Sequence, residues 1–282
     1  MSKKPNGHDP LRVFIGTSPG GEDAEACLVC EHSLRSRASV PVEVSILRRS
    51  RDPKSLCYSD PRSGAGWRTE QWGTPWTALR WAVPEICGWR GRALYFDCPT
   101  IVLGDVAELA AALIPPGAFV LTRRAGLALG TSCMVFDCVE ARKHLPEVNK
   151  MQADVGAHQG VGSMLEQHPT LVGSLPPGWG QSDAVFSLRP AAIAGGSVHF
   201  SSPITQLHIG RARTRLAREG KGHWHEGVRL PHFSTRLEEM FEAEYAAAIV
   251  AGSTVAQYVP DGPAPSITAL LRTRDEGLLG DD

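Results

Sequence analysis

The chain has 282 residues, 42% of them hydrophobic and 21% charged, with a formal net charge of −1. That composition supports a sizeable core in one large domain or two small ones, and excludes wholesale disorder and a globally basic nucleic-acid binder. The 29 glycines and 21 prolines are scattered without a repeat, as in a loop-rich enzyme rather than a fibre. Residues 1–10 are polar, read as a disordered N-terminus, and hold no apolar signal region. No apolar run reaches the ~18 residues of a membrane span, so no transmembrane segment is expected. Seven cysteines in such a chain read as reduced thiols of a cytoplasmic protein. Cys27 and Cys30 form a lone C-x-x-C without a second half to complete a zinc site, and both are expected in the core.

Strands and helices alternate along the chain. Residues 11–15 predict a strand that runs into the glycine-rich loop 16–21, and residues 22–37 a helix with an acidic first turn. Alternation over 40–47 predicts a second strand, and the polar stretch 48–73 a long functional loop. Helical spacing over 74–87 places Trp76, Leu79 and Val83 on one side. Residues 93–96 and 100–103 are apolar runs separated by Asp97-Cys98-Pro99, and a helix is expected from Val106. Further strands are expected at 119–122, 133–136, 185–188 and 204–208, and a glycine-weakened helix at 155–167. The last helix runs from the N-cap Ser234 to about Val250. Residues 11–258 read as one α/β domain and 259–282 as a mobile tail.

Two segments do not read as core. The junction 14–20 places glycines at the carboxyl end of a strand, where α/β folds gather ligands, yet it is neither a P-loop nor G-x-G-x-x-G. Asp97 closes a buried apolar strand, a costly place for a carboxylate unless a partner awaits it.

The run Arg92 to Pro99, followed by Gly104-Asp105-Val106-Ala107-Glu108-Leu109, resembles the core of GT-A fold nucleotide-sugar glycosyltransferases, especially the family 8-like group with its Asp-x-Asp motif. The resemblance extends over about residues 11–225. It takes in Val13-Phe14-Ile15-Gly16-Thr17, Glu31-His32-Ser33-Leu34 with Val40-Pro41-Val42, and Thr77, Arg80, Pro84 and Gly91. Further along it takes in Thr131 to Asp137, His158-Gln159, Leu175-Pro176-Pro177-Gly178-Trp179 and Leu207-His208-Ile209-Gly210.

The resemblance implies a single Rossmann-like GT-A domain, a mixed central sheet flanked by helices. It further implies an enzyme moving a sugar from a nucleotide diphosphate sugar, UDP-linked by preference, to a hydroxyl acceptor. Phe14, Gly16 and Thr17 would hold the base, Arg80 and Asp97 the ribose and diphosphate, and His208, Arg211 and Arg213 the leaving group. His158, Gln159, Asp137 and Asp183 are the catalytic candidates. Asp97 and His208 would be ligands of Mn²⁺ or Mg²⁺, but the third position of the motif is Pro99, which offers no carboxylate. Three readings stand: a weaker metal site, substitution by Asp105 or Asp137, or cations alone. The basic stretch 205–236 suits a diphosphate or a polyanion. The acceptor is accordingly a saccharide or a hydroxymethylated pyrimidine in DNA, in the cytoplasm of a bacterial or phage-infected cell. The alternative is a GT-A-like module that binds nucleotide sugars without catalysis.

Overall fold

The computed structural model describes residues 10–125, 128–188 and 195–260. The expected N-terminal segment, apart from Pro10, and the tail beyond Pro260 lie outside the described residues. A six-stranded mixed sheet forms the centre, with β1 (Leu11–Gly16), β2 (Val42–Leu47), β5 (Arg92–Asp97), β7 (Val120–Ala125), β8 (Ala128–Asp137) and β9 (Val172–Ser174) in the order β2-β1-β5-β8-β7-β9. The strands β2, β1 and β5 are parallel; β8 runs antiparallel to both β5 and β7, and β9 runs parallel to β7. A short hairpin, β3 (Ser59–Asp60) and β4 (Ala65–Gly66), punctuates the long loop. A second sheet of three short strands, β6 (Thr100–Val102), β10 (Gln181–Ser182) and β11 (Ser197–His199), has the order β10-β11-β6.

Strand β5 is buried along nearly its whole length because it lies between β1 and β8, which explains its continuous apolar sequence. Helix α1 (Ala24–Arg35) covers this region through Cys27, Leu28 and Leu34. The C-terminal helices then pack on α1. All seven cysteines are buried thiols outside any disulfide, Cys27 and Cys30 in the core as expected. Between the two sheets Gly104 is required: a Cβ there would collide with the Gly195 carbonyl, and the amides of Leu103 and Gly104 both donate to Gly196 O.

The segment expected as one helix over 74–87 is a turn, a 3-10 stretch Leu79–Ala82 and the short α2 (Val83–Ile86). The Thr77 hydroxyl takes the Thr74 amide at 2.9 Å and so replaces the first helical bonds. Helix α3 (Val106–Ala111) begins where expected, with Asp105 capping the Ala107 amide at 2.9 Å. Residues 138–167 supply α4 (Cys138–Ala141), α5 (Val148–Ala153) and α6 (Ala157–Gln167).

Two expected strands are helical or turn. Residues 185–188 belong to α7 (Asp183–Leu188), where Asp183 and Phe186 share the buried side and Leu188 stands exposed. Residues 204–208 form a turn closed by Thr205 N donating to Ser202 O, and His208 opens α8 (His208–Arg218). The buried set His208, Ile209, Ala212 and Leu216 has helical spacing. Helix α9 (Thr235–Val250) starts at the anticipated cap, Ser234, which accepts from Leu237 N.

Candidate functional site

Leu47, Gly16 and Asp97 form one row across the carboxyl ends of β2, β1 and β5. Gly16 makes the row usable: a Cβ there would collide with the Tyr95 hydroxyl and lie 2.9 Å from Trp76 Cδ1. Its absence lets both groups reach Asp97. Oδ1 of Asp97 accepts from Tyr95 OH at 2.6 Å, Trp76 Nε1 at 2.9 Å and Arg80 Nη2 at 3.1 Å. On the other oxygen, Oδ2, the neighbours are Arg80 Nη2 at 3.4 Å and His199 Nε2 at 3.8 Å. Arg80 is itself buried, donating to Thr77 O at 2.7 Å and to both oxygens of Thr131, and its guanidinium lies over the Tyr95 ring. Burial opposes the Arg80 charge, but Asp97 and Tyr95 outweigh it and hold the guanidinium above its ordinary value.

His199 arrives from the second sheet. Pairing of His199 with Thr100, three residues past Asp97 in sequence, sets its ring against the turn. Burial depresses its imidazole, against the opposing charges of Asp97 and Asp183, so the neutral form is favoured. Asp183 stands behind it, buried, accepting from Ser201 Oγ at 2.8 Å and lying 3.3 Å from His232 Nε2. His158 joins the same neighbourhood from α6. Burial and then the Arg80 charge hold its imidazole below the ordinary value, and its ring meets Trp72 at 6.4 Å between centroids. Gln159 donates to Gln71 O at 3.4 Å across the long loop. The structure therefore gathers Gly16, Arg80, Asp97, His158 and Asp183, and adds Trp76, Tyr95, His199 and His232.

Other expected site residues lie elsewhere. Asp137 caps α4 through the amides of Val139 and Glu140, both at 3.0 Å. It pairs with Arg92 at the far end of β5 from Asp97. Asp105 caps α3, so both acids are engaged at helix starts. Phe14 is buried in the core one strand position before Ile15, and Thr17 is buried beside Leu47 with its hydroxyl turned to the Cys98 thiol. Arg211 is paired with Glu242 and Arg213 with the carbonyls of His225 and Gly227, which leaves both occupied on α8. Arg215 is likewise paired, with Glu25 at 2.7 Å.

Asp97 and His208, expected to share a cation, have separate partners: Arg80 lies 3.1 Å from Asp97, and His208 pairs with a different acid. That acid is Asp23, fully buried in the loop before α1. Its Oδ1 lies 2.8 Å from His208 Nε2 and 3.3 Å from His223 Nε2, while Oδ2 accepts from Trp224 Nε1 at 2.8 Å. Asp23, His208 and His223 bring three ligand-type atoms within 4.8 Å of one another. The protons argue for a different use. His223 Nδ1 accepts from the His225 amide at 3.0 Å, which leaves the ring proton on Nε2, facing Asp23. A carboxylate ringed by N–H donors is an anchored anion, and its carboxyl is held far below the usual range because the two histidines outweigh burial. The ring edge of Trp76 meets Trp224 at 5.7 Å, so the Asp97 and Asp23 clusters abut.

Sequence reasoning missed His199, Asp23, His223 and His232. For His199 a signal existed: a histidine inside the short apolar run Val198 to Phe200. Asp23 reads as an ordinary helix-leading acid, and its partners lie 185 and more residues away.

No family model matches the chain. A stretch of 101 residues is 32% identical to the protein CDI of Arabidopsis thaliana and takes in 36% of each chain. Similar solved structures include the galactosyltransferase LgtC, solved with donor and acceptor sugar analogues, at 10% identity and a TM-score of 0.54, covering 84% of this chain and 96% of that one. The glycosyltransferase GlyE of Streptococcus pneumoniae gives 13% identity and a TM-score of 0.51 over 92% of this chain and 66% of that one. The bifunctional glycosyltransferase WbbM gives 12% and 0.50 over 71% of this chain and 47% of that one. At these identities the likeness is one of architecture: the chain has the GT-A fold, a mixed α/β sheet flanked by helices, that these glycosyltransferases share.

Proposed function

We propose that the chain transfers a sugar from a nucleotide diphosphate sugar to a hydroxyl acceptor, and does so without a divalent cation. The observation that carries this reading is the Asp97–Arg80–His199 cluster at the carboxyl end of a central strand, the place where open α/β sheets receive ligands. The fold it shares with the glycosyltransferases supports it. Arg80 supplies a fixed positive charge beside Asp97 where a cation would otherwise sit, and His199, neutral and partly exposed, presents an imidazole at the mouth. Asp183, held by Ser201 and His232, and His158 are the candidates for the catalytic base in this reading. The acceptor favoured is a saccharide hydroxyl. Arg211, Arg213 and Arg215 are spent on internal partners, which removes the main support for a DNA acceptor with a hydroxymethylated pyrimidine.

One observation favours a second reading, a binding module without catalysis: both oxygens of Asp97 are already engaged by protein groups. Titration of a nucleoside diphosphate panel, with Mn²⁺ and with EDTA, tests the site. Binding of a UDP-linked sugar that is indifferent to EDTA is expected, and binding to none of the panel rejects both readings. Turnover of the bound donor that disappears in Asp97→Asn separates the enzyme from the module.

A further inference from the structure

Two arginines follow β2 directly, and neither has an acidic partner. Arg48 is 4% exposed; one of its terminal nitrogens donates to Tyr258 O at 3.1 Å, while its Nε is buried without a partner. Arg49 is half-buried, its Nε is also buried and unpartnered, and it makes no hydrogen bond or ion pair among the described residues. Thr17, whose amide donates to Leu47 O, lies beside them, its hydroxyl turned to the Cys98 thiol. Both arginines feel the charge of Glu22, but its carboxylate is turned onto its own loop and accepts from Gly20 N at 2.8 Å. Arg51 adds a like charge against Arg49. Burial pulls both guanidinium groups below their ordinary values, a cost that Glu22 and, at Arg48, Cys27 offset only in part. Leaving buried donors unmade costs free energy that a ligand oxygen recovers.

Their position completes the argument. Leu47, Gly16 and Asp97 share one row, so the backbone of Arg48 starts about 10 Å from Asp97 at the usual spacing between strands. We propose that Arg48 and Arg49 form an oxyanion subsite at the carboxyl end of β2 that takes a phosphate group of the ligand. This rests on the proposed sugar-nucleotide reading for the identity of the ligand, in which the subsite holds the diphosphate and stabilises the charge it gains on leaving.

Calorimetric titration of inorganic pyrophosphate into the full chain tests the subsite. Arg49→Gln is expected to weaken binding by about tenfold, the loss of one charge-assisted hydrogen bond, and Arg49→Lys to recover part of it. Arg90→Gln, an exposed arginine before β5, leaves binding unchanged. Without pyrophosphate, Arg49→Met raises the thermal midpoint, because it removes an uncompensated charge; a merely structural arginine would lower it. No pyrophosphate binding by the unsubstituted protein, or equal binding by Arg49→Gln, overturns the subsite. Pyrophosphate binding that needs Arg49 in a protein that takes no nucleotide sugar keeps the subsite and rejects the sugar-transfer reading. Donor turnover indifferent to Arg49→Gln does the reverse.

Discussion

Asp97 and Asp23 are both buried carboxylates, and their surroundings assign them different work. Asp97 answers a cation, Arg80 at 3.1 Å, and two neutral donors. Asp97→Ala strands that guanidinium in the interior and is expected to cost about 3 kcal/mol in urea unfolding, whereas Asp97→Asn keeps an acceptor and costs less. Asp23 answers N–H donors from His208, His223 and Trp224. Its carboxyl is depressed in the folded chain, so the stability it supplies is complete above the unfolded value and is lost as pH falls below about 4. The stability gap between the native chain and Asp23→Asn is therefore expected to be full at neutral pH and to narrow in acid, as unfolding curves across that range would show. A gap independent of pH would mean that the Asp23 charge is not what holds the cluster.

At the scale of elements, close approach and capping carry the site. Gly16→Ala forces Tyr95 and Trp76 off Asp97, and overpacking of this kind costs about 1–3 kcal/mol. A shift in tryptophan fluorescence together with loss of donor binding is the expected result. Ser234→Ala removes the cap of α9; the bond is long, at 3.4 Å, so a loss near the lower end of about 0.5–2 kcal/mol is expected, with no change in ligand affinity. How far these elements were legible depended on local signals. The 3.6-residue period and a serine cap revealed α9, β1 and β5 announced themselves as apolar runs, and β2 by its alternation. Residues 185–188 misled because four apolar-rich residues fit strand and helix equally, and only the lack of a neighbouring strand decides. Strands of two or three residues such as β10 and β11 carry no period of their own.

For the whole molecule, the clusters at Asp97 and Asp23 tie the start of the chain to its C-terminal third. Asp23 binds His208 and His223, Glu25 binds Arg215, and Arg48 reaches the carbonyl of Tyr258. Each of these ties joins protein groups directly. The thermal midpoint is expected to be the same with and without EDTA, and a drop of more than about 2 °C, beyond ordinary scatter for a chain of this size, would show that a metal is held after all.

The sequence by itself determined the mixed α/β architecture, the burial of Cys27 and Cys30 and the placement of Asp97 at a strand end. These depend on residue type and short-range period. Only the tertiary structure decided the partners. Trp76, Arg80 and Tyr95 meet on Asp97 because Gly16 leaves them room, and His199 reaches it through the β6–β11 pairing. His208 belongs to Asp23, nearly two hundred residues away in sequence. Hydrogen-bond pairing between distant segments is set by sheet order and packing, which leave no local trace in the chain.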